Sequence, residues 1–388
     1  MINILAIDSI NDFFRYVFYL YDSNPIIFIL GLFFITILLI IIAKLIEIYL
    51  KTYSDKIIEE VKDSDKVAIL MHENPDPDAM ASALGIQYIL NSINKDTEIF
   101  YAGNISHHEN RAFRAVLDVS FTHIEDKDEI TGDKIILVDH HEARGFSNSE
   151  DVEPDIIVDH HSKSVGFNEE EIDICYIDSS YGSCSTIVYE FMMEQGFVIG
   201  DEDNIKNINS KIATGLYYGI MSDTDNLIRS VSKEDYYASM NLYEGINKDD
   251  LYRISNPKID EDSLDTKANV ILNRTVRSPF AVSYIDGVSN SDAIPQAADT
   301  LVKLEGLSSV VVIGDCGEKI RLSGRAYDDR VHMGDVISCV LENIDGASGG
   351  GHSRMGGGVI PKEKIEDGLN ISELTEDIFS VLNGDTEV

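Results

Sequence analysis

The chain has 388 residues and carries 68 Asp and Glu against 31 Lys and Arg, a formal charge of −37. That length suggests roughly two or three domains, and 44% hydrophobic residues with only 8 prolines exclude disorder throughout. The acidic excess argues against a protein that grips long nucleic acid through a basic surface; its plainest reading is solubility, and a small anionic ligand fits only if metal supplies positive charge.

Pro25 to Ala43 reads PIIFILGLFFITILLIIIA, 19 residues without a charge. At 1.5 Å per residue this is about 28 Å, which predicts a transmembrane helix. A cleaved signal peptide would have a basic leader and a shorter apolar region, whereas here Asp8, Asp12 and Asp22 stand against Arg15 alone. Lys44, Lys51 and Lys56 follow the span, with Glu47 and Asp55 among them. The positive-inside rule therefore predicts a single-pass protein with its body in the cytoplasm. Residues 11–21, NDFFRYVFYLY, read as an aromatic, amphipathic segment in contact with lipid at the interface, with a second short span as the alternative.

After a charged stretch around Lys51 to Lys66, short apolar runs alternate with helical periodicity, which predicts an α/β domain with a mainly parallel sheet. VAILM (67–71), KIILVD (134–139) and DIIVDH (155–160) read as buried strands, and Pro77 to Leu90, 184–195 and 208–221 as helices. Residues 243–276, rich in Asp, Asn and Lys, read as a connector. A second, smaller α/β lobe begins near Pro279, with strands FAVSYID, SSVVVIG and KIRLSGRA and helices around 293–305 and 333–343. The expected organisation is anchor and linker 1–63, catalytic domain 64–242, connector 243–276 and C-terminal domain 277–388. Cys175, Cys184, Cys316 and Cys339 form no CxxC pair, which disfavours a zinc knuckle or disulfide framework and fits a reducing compartment.

Chemistry-bearing residues collect at the ends of the predicted strands, where open α/β sheets place their ligand sites. In His72-Glu73-Asn74-Pro75-Asp76-Pro77-Asp78, a turn aims one imidazole and two carboxylates into a common space; an Asp-Pro turn with an N-cap Asp is the bland alternative. Asp139-His140-His141 and Asp159-His160-His161 end two further strands. Two apolar strands that both finish in Asp-His-His are hard to explain by packing, because their buried charge needs cations. Asp223 follows GLYYGIMS at a helix end, with Asp225 beside it as a solvated turn residue. Mixed His and carboxylate groups without thiolates suit Mn²⁺ or Mg²⁺. Several carboxylates in one place suit a metal pair that activates water and clamps a phosphate, which predicts phosphoester hydrolysis.

In the second lobe, residues 349–358, GGGHSRMGGG, are expected to form a loop, being too glycine-dense for a helix or strand interior. Lys319, Arg321, Arg325, Arg330 and Arg354 make a basic cluster in an acidic chain. Arg325, ending KIRLSGRA, suits bidentate phosphate contact, whereas Arg321 and Arg330 are expected to pair with Asp328 and Asp329.

The motifs HENPDPDAMAS, LVDHH, IVDHHS, GIMSDTDN, SGRA and GGGH occur in that order within residues 64–385. In this the sequence resembles the DHH phosphoesterase family with its DHH-associated C-terminal domain. The resemblance implies a two-lobed α/β enzyme, a parallel-sheet DHH lobe plus a smaller substrate-binding lobe, that holds two Mn²⁺ ions. By it, His72 and Asp76 would hold one ion, Asp78, His160 and Asp223 the other, and Asp139 would bridge both. Asp159 and His161 would support them or meet the substrate phosphate, while Arg325 and the loop of Gly349, Gly350, Gly351 and His352 would bind nucleotide. His140 stands where the family usually has a small hydroxyl residue, Pro77 where it commonly has Gly, and Arg354 extends the glycine loop.

Membrane-attached members of this arrangement are similar to cyclic di-AMP phosphodiesterases, which usually insert sensory and degenerate cyclase-like domains before the DHH lobe; residues 44–63 leave no room for these. The expected substrate is therefore cyclic di-AMP or a very short oligonucleotide, and a homodimer is compatible with this reading. Adenosine 3′,5′-bisphosphate is the alternative substrate, and a non-catalytic membrane-tethered nucleotide sensor is the alternative of another class.

Overall fold

The computed structural model describes residues 10–142, 152–200, 204, 206–328, 330–366 and 370–384. Asp8, Asp329 and position 385, at the end of the resemblance, lie outside the described residues. The first elements are helices α1 (Ile10–Ser23), α2 (Pro25–Leu50) and α3 (Tyr53–Glu60). Asn24 caps α2 by accepting from the N–H of Ile27, and Pro25 occupies the first turn, where a missing N–H costs nothing. Over Pro25–Leu45 this helix is long and apolar enough, by length and composition, to cross a membrane. Thr52 and Asp55 cap α3 reciprocally.

Residues 1–104 with 120–248 form one compact unit, and residues 105–119 with 249–388 a second. The first contains β1 (Lys66–Met71), α4 (Pro77–Ser92), β2 (Asp96–Tyr101), β3 (Thr122–His123), β4 (Lys134–Val138), β5 (Ile156–Asp159) and β6 (Ile174–Ile177); α5 (His108–Leu117) falls to the second. These strands form one parallel sheet in the order β3-β2-β1-β4-β5-β6. Both faces are covered, which is why the strands read as unbroken apolar runs rather than alternating ones. Helices α4 and α6 (Cys184–Glu194) pack on one face, while Phe100, Ile124 and Val152 join Ala68, Leu70, Leu137 and Ile157 in a cluster on the sheet. A short parallel pair, β7 (Val198–Ile199) with β8 (Asn207–Ile208), precedes α7 (Ser210–Asp223) and α8 (Lys233–Leu242). In α7, a Cβ on Gly219 would lie 2.2 Å from Ser185 Oγ and 3.1 Å from Asp78 Oδ1. Only glycine lets α7 run this close, and it brings Asp223 towards the strand ends one turn later. Strand order reverses between β1 and β4, so their C-terminal ends flank the switch point where such sheets bind ligands.

The second unit contains α9 (Lys248–Ser255), α10 (Glu261–Leu272), β9 (Arg274–Arg277), β10 (Phe280–Ile285), α11 (Ala293–Leu301), β11 (Ser309–Asp315), β12 (Lys319–Ala326), α12 (Met333–Leu341), β13 (Ser348–Gly351), β14 (Met355–Pro361), α13 (Glu363–Glu366) and α14 (Ile371–Asn383). Its sheet runs β13-β14-β12-β11-β10-β9, parallel only between β10 and β11. Much of the polar stretch 243–276 is therefore helix. Only Ser263, Thr266 and Val270 of α10 are buried, a stripe too narrow to register as helical periodicity against so many charges.

The glycine-dense segment corrects the expectation of a loop, since it forms β13 and β14. The reason is α12, which packs on these strands. A Cβ on Gly349 would lie 2.7 Å from both Ile337 and Leu341, one on Gly358 2.5 Å from Leu341, and one on Gly356 2.6 Å from the Met333 carbonyl. Glycine makes the strand face flat enough for a helix to lie on it.

Candidate metal centre

His72 follows β1, Asp139 follows β4, Asp159 ends β5, Asp76 caps α4 with Asp78 in its first turn, and Asp223 ends α7. Ligand-capable atoms of His72, Asp76 and Asp139 lie within 4.8 Å of one another, as do those of Asp78, His160 and Asp223, and those of Asp139, His160 and His161. Asp139 faces the first triad with Oδ2 and the second with Oδ1.

Local hydrogen bonds aim these groups. His72 donates Nδ1–H to the Glu73 carbonyl at 2.8 Å, leaving Nε2 3.8 Å from Asp139 Oδ2 and 3.9 Å from Asp76 Oδ1. His160 donates Nδ1–H to the Tyr181 carbonyl at 3.3 Å, and its Nε2 lies 3.3 Å from Asp223 Oδ2 and 3.4 Å from Asp139 Oδ1. Each imidazole thus turns Nε2 toward the carboxylates, where it can bind an ion once it has lost its proton. Asp78, wholly buried, accepts the N–H groups of Cys184 and Ser185 at 2.7 and 2.8 Å, at the favourable N-terminal end of α6. Asp76 accepts from the N–H of Asp78 and Ala79 at 2.9 and 3.0 Å, so it is both the helix cap and a member of the cluster. Asp139 adopts φ 66°, a left-handed conformation uncommon outside functional sites and turns, while its N–H donates to the Val158 carbonyl at 2.9 Å.

The charges are unbalanced. Burial, then the Asp78 and Asp76 charges, raises the Asp139 carboxyl well above its usual range. Burial and the Asp78 charge push Asp223 up to about 7. Burial would depress His72, but the Asp76 and Asp139 carboxylates beside it prevail and raise it to about 9. Asp139 Oδ1 and His160 Nε2 are buried without a hydrogen-bond partner among the described residues. Divalent cations fit this set: they would engage both orphaned atoms, offset four neighbouring carboxylates, and find oxygen and imidazole donors of the kind Mn²⁺ and Mg²⁺ accept.

His161 belongs to the third triad with Asp139 and His160, and Asp159 stands behind it. Asp159 accepts from His161 Nδ1–H at 2.8 Å and from His141 Nδ1–H at 2.6 Å. His140 donates Nδ1–H to the Val138 carbonyl at 2.9 Å, and burial pulls its pKa down to about 4. With His72, Asp139 and His161 it lines a cleft of about 400 Å³. Sequence reasoning gave His141 no role; its place in the first Asp-His-His run was the only signal.

In the second unit, Arg321, Ser323, Arg325, Gly349 and Gly356–Gly358 line a separate groove of about 640 Å³. Gly350, Gly351 and His352 are not among its lining residues. Instead, the carbonyls of His352 and Ser353 accept the first N–H groups of α12, at 3.0 and 2.8 Å. Arg325 pairs through Nε with Asp299 at 2.5 Å and donates Nη1–H to Ser323 Oγ and the Gly324 carbonyl. Arg330 pairs with Asp328 at 2.6 Å as expected. Arg321 does not: it has no ion pair among the described residues, because β12 turns it into the groove.

A parallel sheet whose switch point gathers imidazoles and carboxylates, followed by a second mixed sheet, defines a two-lobed α/β protein with a candidate metal centre. The sequence matches the DHH family, N-terminal domain, over residues 66–220 and the DHHA1 domain over residues 277–378. The chain therefore carries a DHH N-terminal domain followed by a DHHA1 domain. An uncharacterized protein of Methanocaldococcus jannaschii is 33% identical over 296 residues, 76% of this chain and 57% of that protein. A probable manganese-dependent inorganic pyrophosphatase of Lactiplantibacillus plantarum is 29% identical over 168 residues, 41% of this chain and 48% of that protein. The chain thus spans about half the length of these curated relatives. Among solved structures, an exopolyphosphatase-related protein from Bacteroides fragilis shares the fold, with a TM-score of 0.59 and 18% identity over 85% of this chain and 95% of that one.

Proposed function

We propose that the chain is a membrane-anchored, Mn²⁺-dependent phosphodiesterase that hydrolyses cyclic di-AMP or very short oligonucleotides. The observation that carries this reading is the sharing of Asp139 between two triads, with an unpartnered oxygen and an unpartnered imidazole nitrogen buried at the junction. In the proposed site His72 and Asp76 would hold one ion, Asp78, His160 and Asp223 would hold the other, and Asp139 would contribute to both. When bound, such a pair makes water acidic enough to attack and neutralises phosphate oxygens. The chain's own groups do the rest: hydrogen bonds to the Glu73 and Tyr181 carbonyls and from the α6 amides hold the ligands, and His161, fastened to Asp159, presents Nε2 to the substrate phosphate. Arg321 and Arg325 bind the nucleotide in a groove within the ordinary size range of ligand pockets. Helix α2 is the proposed single span, and Lys44 and Lys51 favour a cytoplasmic body.

Similarity to manganese-dependent pyrophosphatases supports a second reading, hydrolysis of inorganic pyrophosphate. The full chain in detergent, given Mn²⁺ and a panel of cyclic dinucleotides, linear dinucleotides, adenosine 3′,5′-bisphosphate and pyrophosphate, decides between them. Cleavage of cyclic di-AMP or dinucleotides is expected; turnover of pyrophosphate alone overturns the leading reading.

A further inference from the structure

Asp159 is wholly buried, and its carboxylate is divided between two imidazoles from different strand ends. Oδ1 accepts the backbone N–H of His161 at 3.1 Å and its Nδ1–H at 2.8 Å, while Oδ2 accepts Nδ1–H of His141 at 2.6 Å. A carboxylate only accepts, so each ring carries its hydrogen on the nitrogen facing Asp159. The far side of His141 is also engaged. Its Nε2 accepts the N–H of Ser164 at 3.1 Å and lies 3.0 Å from the Ser164 hydroxyl, and its ring meets Phe167 edge-on at 5.0 Å. His161, by contrast, has a side chain 55% exposed, and Asp159 is what fixes its ring. Without His141, Oδ2 would be buried with no donor, and a carboxylate so placed turns toward whatever donor it can reach.

We propose that His141 is a positioning residue, a buried strut that holds Asp159 so that Asp159 orients His161 toward the substrate phosphate. This rests on the function proposed above. The test compares His141→Leu, which removes the donor, with His141→Asn, whose amide nitrogen can replace Nδ1 but not Nε2. With the full chain in detergent, His141→Leu should lower kcat roughly ten- to hundredfold while bound Mn²⁺ is unchanged, and His141→Asn should recover most of that loss. Equal losses in both variants, or loss of Mn²⁺ from His141→Leu, would overturn the proposal. A readout independent of activity separates its failure from failure of the functional reading. Nitrogen-15 spectra of histidine-labelled protein loaded with diamagnetic Mg²⁺, taken above pH 9 where the ring is neutral, should show the His161 ring protonated at Nδ1 in the parent and in His141→Asn, and a mixture of tautomers in His141→Leu. An unchanged His161 tautomer in His141→Leu would sink the idea even if no substrate had been found.

Discussion

Asp139 belongs to the His72 triad and lies 3.4 Å from His160 of the Asp78 triad, so Asp139→Ala is expected to abolish hydrolysis more completely than any other single ligand change and to empty both proposed metal positions. Metal analysis and rate on one preparation check this, and full activity at ordinary Mn²⁺ would remove Asp139 from its shared role. His140→Ala should be milder, because that ring's Nδ1–H is committed to the Val138 carbonyl. The pKa shifts also carry a sign. In the metal-free protein His72, raised to about 9, holds its proton at neutral pH, and Asp223, raised to about 7, holds one about half the time. A cation must displace those protons, so Mn²⁺ affinity should rise from pH 6 to 9, steeply at first and then less so once Asp223 has ionised. Titration of free Mn²⁺ by electron paramagnetic resonance would show it, and a flat profile would mean that neither residue binds the ion. At Arg325, the ion pair with Asp299 holds the guanidinium at the groove. Arg325→Ala should raise KM about tenfold or more, as expected for a charged hydrogen bond worth roughly 1.5–3 kcal/mol, with metal content unchanged.

The contrast between neighbouring glycines of β14 belongs to the scale of elements. On Gly356 a Cβ would meet the backbone carbonyl of Met333, which cannot swing aside, whereas on Gly357 the nearest atom is 4.0 Å away. Gly356→Ala is therefore expected to destabilise the second unit by about 1–3 kcal/mol, the usual range for overpacking, and Gly357→Ala to leave stability nearly unchanged. Thermal unfolding of both variants would show the alternation; equal effects would mean that α12 does not rest on this strand face.

For the whole molecule, the question is where the proposed anchor ends. Only Lys51 and Thr52 separate α2 from α3, and α3 is part of the first unit's packing. Ile57 and Val61 are buried, Ser54 donates to Glu194 at 2.7 Å, Gln195 donates to Asp55 at 2.8 Å, and Tyr53 meets Tyr176 edge-on at 4.6 Å. A chain beginning at Lys51 should leave the membrane fraction and keep its activity. One beginning at Ser64 should unfold at lower temperature, since two buried aliphatic side chains at roughly 1.5–3 kcal/mol each are lost with α3. Equal melting temperatures would show that α3 belongs to the anchor alone. In intact cells, protease added outside should leave the DHH lobe uncut.

The sequence by itself determined what short-range patterns can carry: an uncharged span, buried parallel strands written as apolar runs, and an inventory of imidazoles and carboxylates at strand ends. These were legible because hydrophobic periodicity and capping act within a few residues. Tertiary structure decided which distant groups meet. Asp139 stands between His72 and His160 because β4 lies between β1 and β5, a sheet order no local pattern encodes. The same holds where the reading failed. Residues 349–358 look like a loop until α12 lies on them, Arg321 looks like a partner for Asp328 until β12 places it along the groove, and His141 shows no purpose until β5 brings Asp159 beside it. In each case the deciding contact joins segments separated along the chain, and only the folded packing brings them within reach.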